Sequence, residues 1–331
     1  MLNKINLRLF DTQTTQSAGL TAEMKTFYSD YLIDVATTNL VHDQFGQKKP
    51  IPKNSGKTIE FRKYSPLPKA TTPITEGVTP EGNSLTVSTI TATVAQYGDW
   101  IGLSDVLILT AIDNNIVEAT KLLGDQAGRT LDTVTREVLN GGTNVMYAPI
   151  VTPTGTKEVS SRASLTKDSK LTVDVVMRAA TKLRTMHAAP IDGSFVAIVH
   201  PNVAYDLKSD PRWIEAHKYA ATDNLFNGEI GKIDNVRFVE STEAKIFASS
   251  GANGESVYST LVFGENAYGI TEVEGGGLKH IVKPLGSGGT SDPLDQRASV
   301  GWKAIKTAER LVEEFMVRIE SSGTFSTQAA N

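Results

Sequence analysis

The sequence contains no cysteine among its 331 residues. Disulfides, thiolate metal sites and a cysteine nucleophile are excluded together, and the composition fits a reducing compartment. Basic residues are not in surplus either. Thirty-seven acidic against 33 basic side chains leave a formal net charge of −4, the wrong sign for a surface that grips nucleic acid through its phosphates. No run approaches the roughly 18 apolar residues of a membrane span. Residues 1–10 carry charge and no apolar segment, so they do not read as a secretory signal. Aromatic residues are only 7%, and the tryptophans Trp100, Trp213 and Trp302 are far apart, which reads as packing anchors and not as a stacking platform. What is present, 40% hydrophobic and 21% charged residues, is ordinary for a globular chain with a sizeable core. The length is that of two domains, or one with extensions. These features describe a soluble, cytosolic, cofactor-poor chain.

The strongest periodic signal runs over residues 112–140. Ile112, Ile116, Ala119, Leu123, Ala127, Leu131, Val134 and Val138 recur at steps of three and four, one side of a helix about 40 Å long. The other side carries Lys121, Asp125, Arg129, Asp132 and Arg136, whose pairs contribute roughly 0.2–0.5 kcal/mol each. Burying the apolar stripe is worth on the order of 10 kcal/mol, so packing commits the helix and the charges decorate it. Gly124 and Gly128 imply a close neighbour, and Asn140-Gly141-Gly142 predicts a glycine in the left-handed cap conformation. This helix reads as a spine.

Residues 1–44 form a polar arm. Within 20–41, Met24, Phe27, Tyr31 and Val35 are at helical spacing, with Thr21 as cap, and the segment either packs on the core or clasps another subunit. Residues 57–64 alternate as a half-exposed strand, and 85–100 form a longer, threonine-rich one. Between them, residues 65–84 hold Pro66, Pro68, Pro73, Pro80, Gly77 and Gly82, a structureless length awkward inside a compact domain. A hairpin that projects from the body and is ordered from outside removes the difficulty. Residues 102–111 read as a short helical turn capped by Ser104 or Asp105.

Beyond the spine, 145–170 is polar connection, and Thr172 caps a helix to His187 with Val173, Val176, Ala180 and Leu183 inward. Residues 190–193 are a turn and 195–199 a buried strand. His200-Pro201-Asn202 opens a helix and Asp210-Pro211 another. A strand at 236–240 follows, and Asn253-Gly254 joins 243–247 to 256–263 as a hairpin. The mixture implies a separate α/β body over about 171–273. Strands at 278–284, 297–305 and 313–320, the last with Met316, Arg318 and Glu320 outward, return to the spine and close a second domain around it.

Catalytic patterns fail on spacing. Gly56-Lys57-Thr58 resembles part of a phosphate loop, but Ile51 stands where its first glycine belongs, and a strand follows where a helix must open. The clusters Gly275–Gly277 and Gly286–Gly289 lack dinucleotide spacing, and Ser287 lacks a nucleophile-elbow context. His42, His187, His200, His217 and His280 show no metal-ligand spacing. His200, at a strand end, is either a catalytic group or a helix cap, and the cap is favoured. Asp174, Asp192 and Asp206 have cap, turn or surface explanations. No catalytic, cofactor-binding or metal residue is assigned.

The order of parts resembles the major capsid proteins of tailed bacteriophages with the Hong Kong 97-type fold, an α+β class. Residues 228–240, Gly-Glu-Ile-Gly-Lys-Ile-Asp-Asn-Val-Arg-Phe-Val-Glu, resemble a stretch of the inserted axial domain in one such family. Residues 292–303, Asp-Pro-Leu-Asp-Gln-Arg-Ala-Ser-Val-Gly-Trp-Lys, resemble its returning peripheral strand. The resemblance implies an N-terminal arm over 1–56, an extended-loop hairpin over 57–101 and a peripheral domain with the spine over 102–170. An axial domain over 171–274 and returning peripheral strands over 275–331 complete it. It implies hexamers and pentamers of the chain itself, closed as an icosahedral shell around double-stranded DNA, and the acidic balance suggests that this DNA is contacted weakly and without sequence preference. Portal and decoration proteins are expected partners. The arm is too short for a built-in scaffold, so a separate scaffolding protein or none is implied. Lys69 is an available lysine in the loop, but no cross-linking partner is marked. The subunit-contact candidates are Lys69, Glu76 and Glu81 on the loop, Arg129 on the helix, and Arg297 and Trp302 on the returning strand. The expected location is the virion capsid, assembled in the host bacterial cytoplasm. A tail or adhesin component, or an α/β enzyme using His200, is the alternative.

Overall fold

A computed structural model describes residues 32, 33, 36, 40–64, 67–79, 81–110, 115–153, 155–217, 229–289 and 292–331. Of the arm helix expected around Thr21, Met24, Phe27, Tyr31 and Val35, only Leu32, Ile33 and Ala36 are described, and they are helical. The named positions, Ile112 of the spine, and residue 228 of the axial string lie outside the described residues.

In chain order the strands are β1 (Gln47–Lys48), β2 (Thr58–Tyr64), β3 (Val87–Thr93) and β4 (Ala95–Ser104), followed by helices α1 (Asp105–Thr110) and α2 (Asn115–Asn140). Next come β5 (Val145–Tyr147), β6 (Ile150–Thr152), β7 (Gly155–Lys157), α3 (Val173–Thr185), β8 (Phe195–Val199), α4 (Pro201–Lys208) and α5 (Pro211–His217). The rest are β9 (Glu229–Ile233), β10 (Val236–Glu240), β11 (Ile246–Phe247), β12 (Val257–Phe263), β13 (Tyr268–Glu272), β14 (Lys279–Lys283), β15 (Arg297–Arg310) and β16 (Met316–Ser321).

The described residues divide into two compact units. The larger takes Leu40–Ala95, Thr130–Gly275 and Ile305–Asn331. Its centre is a seven-stranded sheet ordered β5-β16-β12-β8-β10-β9, with β11 also on β12. β8 and β10 run parallel, joined through α4 and α5, whereas β12 is antiparallel to both β8 and β16. β8 is apolar at every position because both faces are covered. Phe195, Ala197 and Val199 join α3 side chains Val176 and Leu183, with Trp213 and Phe238, on one face. Val196 and Ile198 join Leu139, Phe263, Tyr268 and Met316 on the other.

Several expectations are corrected here. The strand expected at 313–320 forms as β16, but it pairs with β12 inside this sheet, so the α/β body draws strands from outside 171–274. Arg318 and Glu320, read as outward, are buried because they are partners of one another. The polar connection 145–170 contains β5, which pairs with β16, and the small β6–β7 hairpin. Thr172 makes no side-chain cap, and the first amide of α3 donates instead to Asp210 Oδ2 at 3.0 Å. The single strand expected over 85–100 is two, β3 and β4, broken at Val94, where the chain leaves its pairing with β2.

The smaller unit takes Gln96–Arg129 and Gly276–Ala304 with the few described arm residues. The first half of β15 pairs with β14 on one side and with β4 on the other. Ser104 Oγ accepts from Leu107 N at 3.2 Å, capping α1 as its sequence predicts.

Helix α2 ends at Asn140, as its sequence predicts, by a different mechanism. Neither Gly141 nor Gly142 has a positive φ. The last carbonyls are taken by arginines: Arg310 Nη1 donates to Val138 O at 2.5 Å, and Arg318 Nη1 donates to Asn140 O. A Cβ at Gly141 would stand 2.6 Å from Arg310 Nη1, so the guanidinium that closes Val138 O would have to shift. The decorating side of α2 is also corrected. Asp132 and Arg136 are buried, and each has a specific partner.

Candidate functional site

The hairpin of β2 and β3 is antiparallel, from Thr58 opposite Thr93 to Tyr64 opposite Val87. It is seated along β2, where Lys63 Nζ, near the far end of the paired strands, reaches Glu314 Oε2 at 3.4 Å. Phe61 is buried against Gly269, where a Cβ would meet its ring at 2.8 Å, and Lys49 Nζ lies 5.6 Å from that ring's centre. Beyond Tyr64, every described residue of 67–79 and 81–89 is exposed, and 67–79 and 81–86 carry neither helix nor strand. Leu67, Ile74, Val78 and Leu85 are apolar side chains left in water. Lys69, Glu76 and Glu81 are on this segment, fully available to a partner.

The remaining contact candidates are scattered. Arg129 is exposed on α2 and paired with Asp125 at 2.9 Å. Arg297 is exposed at the start of β15, its amide donating to Asp292 Oδ2 at 2.8 Å. Trp302 is only 3% exposed, and its Nε1 donates to Gln126 Oε1 of α2 at 3.2 Å, so it faces its own unit and offers no surface. The exposed tryptophan is Trp100, at 68%, which corrects its reading as a packing anchor. The available signal was the Gly98, Trp100, Gly102 alternation on one strand, which puts all three on one face.

Buried polar clusters, which sequence reasoning missed, fix the larger unit. His42 Nδ1 is 2.6 Å from Asp132 Oδ2, and His42 N donates to Asp132 Oδ1 at 2.8 Å. Beside it, Asp43 accepts from Thr135 Oγ1 at 2.6 Å and pairs with buried Lys306. Tyr268 donates to His42 O at 2.5 Å, and burial, then the nearby Asp43 and Asp132, push its phenol well above the ordinary tyrosine range. In the seven-stranded sheet Glu320 accepts from Arg162 Nε at 2.7 Å and Nη2 at 2.6 Å and from Arg318 Nε at 2.9 Å. The Arg162 guanidinium also stacks 3.5 Å from the Phe247 ring centre.

The candidate reactive groups occupy structural positions. His200 Nδ1 accepts from Asn202 N at 3.1 Å, capping α4, and burial lowers its pKa to about 4. Gly56, at φ 89°, is a turn that leads into β2. Asp174 pairs with Arg178 at 2.8 Å, Asp192 is a positive-φ turn residue, and Asp206 accepts from Thr324 N at 2.9 Å. Among the described residues no three carboxylates or histidines are grouped to hold a metal, and no helix is long and apolar enough to cross a membrane.

Residues 87–308 match the phage capsid protein family. The fold is similar to the capsid of Ralstonia phage GP4, at 16% identity and TM-score 0.65, covering 84% of this chain and 87% of that one. It is also similar to the capsid of cyanophage P-SCSP1u, at 14% identity and TM-score 0.62 over 84% and 86% of the two chains. The acid-stable capsid of Helicobacter pylori bacteriophage KHP30 matches over 97% of this chain and 100% of that one, at 11% identity and TM-score 0.59. No curated protein sequence matches. At these identities the structures establish the mixed helix and strand fold of phage capsids, and the family match covers well over half of the chain. The chain therefore belongs to the phage capsid protein family, a structural protein of the virion shell.

Proposed function

We propose that the chain assembles with itself as hexamers and pentamers into a closed icosahedral shell around double-stranded DNA, with 57–101 as an extended loop lying across a neighbour. Residues 171–274, completed by β5 and β16, act as the axial domain. Residues 102–170 apart from β5, and the strands returning over 275–310, act as the peripheral domain with α2 as its spine, and residues 1–56 as an arm. The observation that carries this reading is the bare segment beyond Tyr64. Its apolar side chains Leu67, Ile74, Val78 and Leu85 have no cover within the chain's described residues, and its prolines restrict the backbone without giving it a core. One loop given and one received by every subunit is a repeated head-to-tail contact that closes into a ring. Lys69, Glu76, Glu81 and Arg297 remain the exposed contact candidates. A net charge of −4 fits passive containment of DNA with weak, salt-sensitive contact. A scaffolding protein, portal and decoration proteins are further partners, and the host bacterial cytoplasm is the place of assembly.

Replacing residues 66–83 by a short glycine-serine turn tests the loop. The unassembled subunit should keep its circular dichroism and thermal midpoint, and closed shells should disappear in favour of monomers or small oligomers by sedimentation. Shells of ordinary size and stability from the shortened chain would defeat the assignment.

A further inference from the structure

The smaller unit has a sheet face left uncovered by the described residues of that unit. Along β15, Ala298, Val300, Trp302 and Ala304 point inward and are buried, while Ser299 and Lys303 point outward. β14 adds Lys279, Ile281 and Lys283 to the same outer face, through the pairs Lys279 with Lys303, Ile281 with Gly301 and Lys283 with Ser299. β4 adds Trp100. Its ring rests over Gly102, whose missing Cβ would lie 3.1 Å from Cζ3, and its Cβ stands 2.8 Å from where a Cβ on Gly301 would be. The tryptophan is thus laid on a floor of glycines, beside a groove of about 450 Å³ lined by Ile281, Lys283 and Lys303.

Two features of this face point to an occupant. Lys279 and Lys303 are direct cross-strand partners, an arrangement that like charges disfavour. Neither they nor Lys283 has an acidic partner among the described residues, and Asp99 beside Trp100 is already engaged by Trp100 N and Gln126 Nε2. The face therefore combines an exposed aromatic platform with three lysines that make no ion pair among the described residues.

Residues 67–84 have the opposite character. Pro68, Pro73, Ile74 and Val78 are exposed apolar groups, and Glu76 and Glu81 are exposed carboxylates without a side-chain partner among the described residues. Proline-rich extended segments dock on exposed aromatic rings because their backbone is already restricted. We propose that the outer face of β4, β15 and β14 seats residues 67–84 of a second copy, with Trp100 as the platform and Lys279, Lys283 and Lys303 receiving Glu76 and Glu81. This rests on the extended-loop reading and adds the receiving residues.

The test uses the full-length chain. Trp100→Ala, and separately Lys283→Glu with Lys303→Glu, should leave the thermal midpoint of the unassembled subunit unchanged, since all three side chains are exposed. Each should lower the yield of closed shells by about tenfold or more, as loss of an interface hot spot does. Adding Glu76→Lys and Glu81→Lys to the lysine double variant should restore shells. Normal yield from the first variants, or no rescue by the second pair, overturns the proposal. A photoreactive benzoylphenylalanine at position 100, in shells mixed from light and heavy subunits, should link to residues 67–84 of the other isotope. Links to another segment, to the same copy or to nucleic acid overturn it, and this readout does not depend on the substitutions folding. If the unaltered chain builds shells while these variants do too, only the Trp100 seat falls. If it builds none, the shell reading falls with it.

Discussion

His42 Nδ1 lies 2.6 Å from Asp132 Oδ2 across 90 residues of sequence, and the two side chains are 1% and 0% exposed. Both carboxylate oxygens of Asp132 go to the same residue, one to its ring and one to its amide. The pair fastens the arm, at residue 42, to the second half of α2. His42→Ala leaves a fully buried carboxylate facing a cavity, which should cost about 3–5 kcal/mol. Denaturant unfolding of the unassembled subunit measures it, and a loss below about 1 kcal/mol would mean that the pair is not what holds the segment.

Glu320 is the acceptor for two arginines, and its removal strands Arg318 inside the sheet. Glu320→Ala should therefore cost about 3–5 kcal/mol, whereas Glu320→Leu combined with Arg318→Met should cost clearly less than the sum of its parts. A double-mutant cycle by denaturant unfolding decides this. Strict additivity would show that the two side chains are not coupled.

His200 gives the pH dependence a defined sign. Burial lowers its folded pKa from 6.5 to about 4, so between those values the unfolded chain binds the extra proton. Its contribution is complete above pH 6.5 and is lost as the pH falls toward 4. His200→Asn keeps an acceptor for Asn202 N but cannot titrate. The thermal midpoint of the unassembled subunit should fall more steeply from pH 6.5 to 4 in the unaltered protein than in the variant. Parallel profiles would count against this account of the histidine.

The parts of the fold legible in sequence were those whose signal is local. The helical period of α2, the apolar run of β8 and the proline at the start of α4 are each set by near neighbours in sequence, and each of these elements forms where expected among the described residues. What escaped were features completed from far away. Gly141 and Gly142 read as a left-handed cap, but the carbonyls are closed by arginines 172 and 178 residues distant from the groups they bond. Arg318 and Glu320 alternate as a wet strand face does, and their burial is completed by Arg162, 158 residues before Glu320, and by Asn140 O, 178 residues before Arg318. The three-residue strands β5, β6 and β7 are too short to show a period. On the candidate surfaces the bare loop was legible from its prolines, whereas the Trp100 face needed the partner strands that expose it.

The most direct measurement for the whole account is electron microscopy, with analytical ultracentrifugation, of the full-length chain expressed by itself and with a co-expressed scaffolding protein. Closed icosahedral particles of uniform diameter, with rings of six and five subunits resolved in class averages, are the predicted result in at least one of the two preparations. Tubes, open fibres, or a persistently monomeric species in both would contradict it.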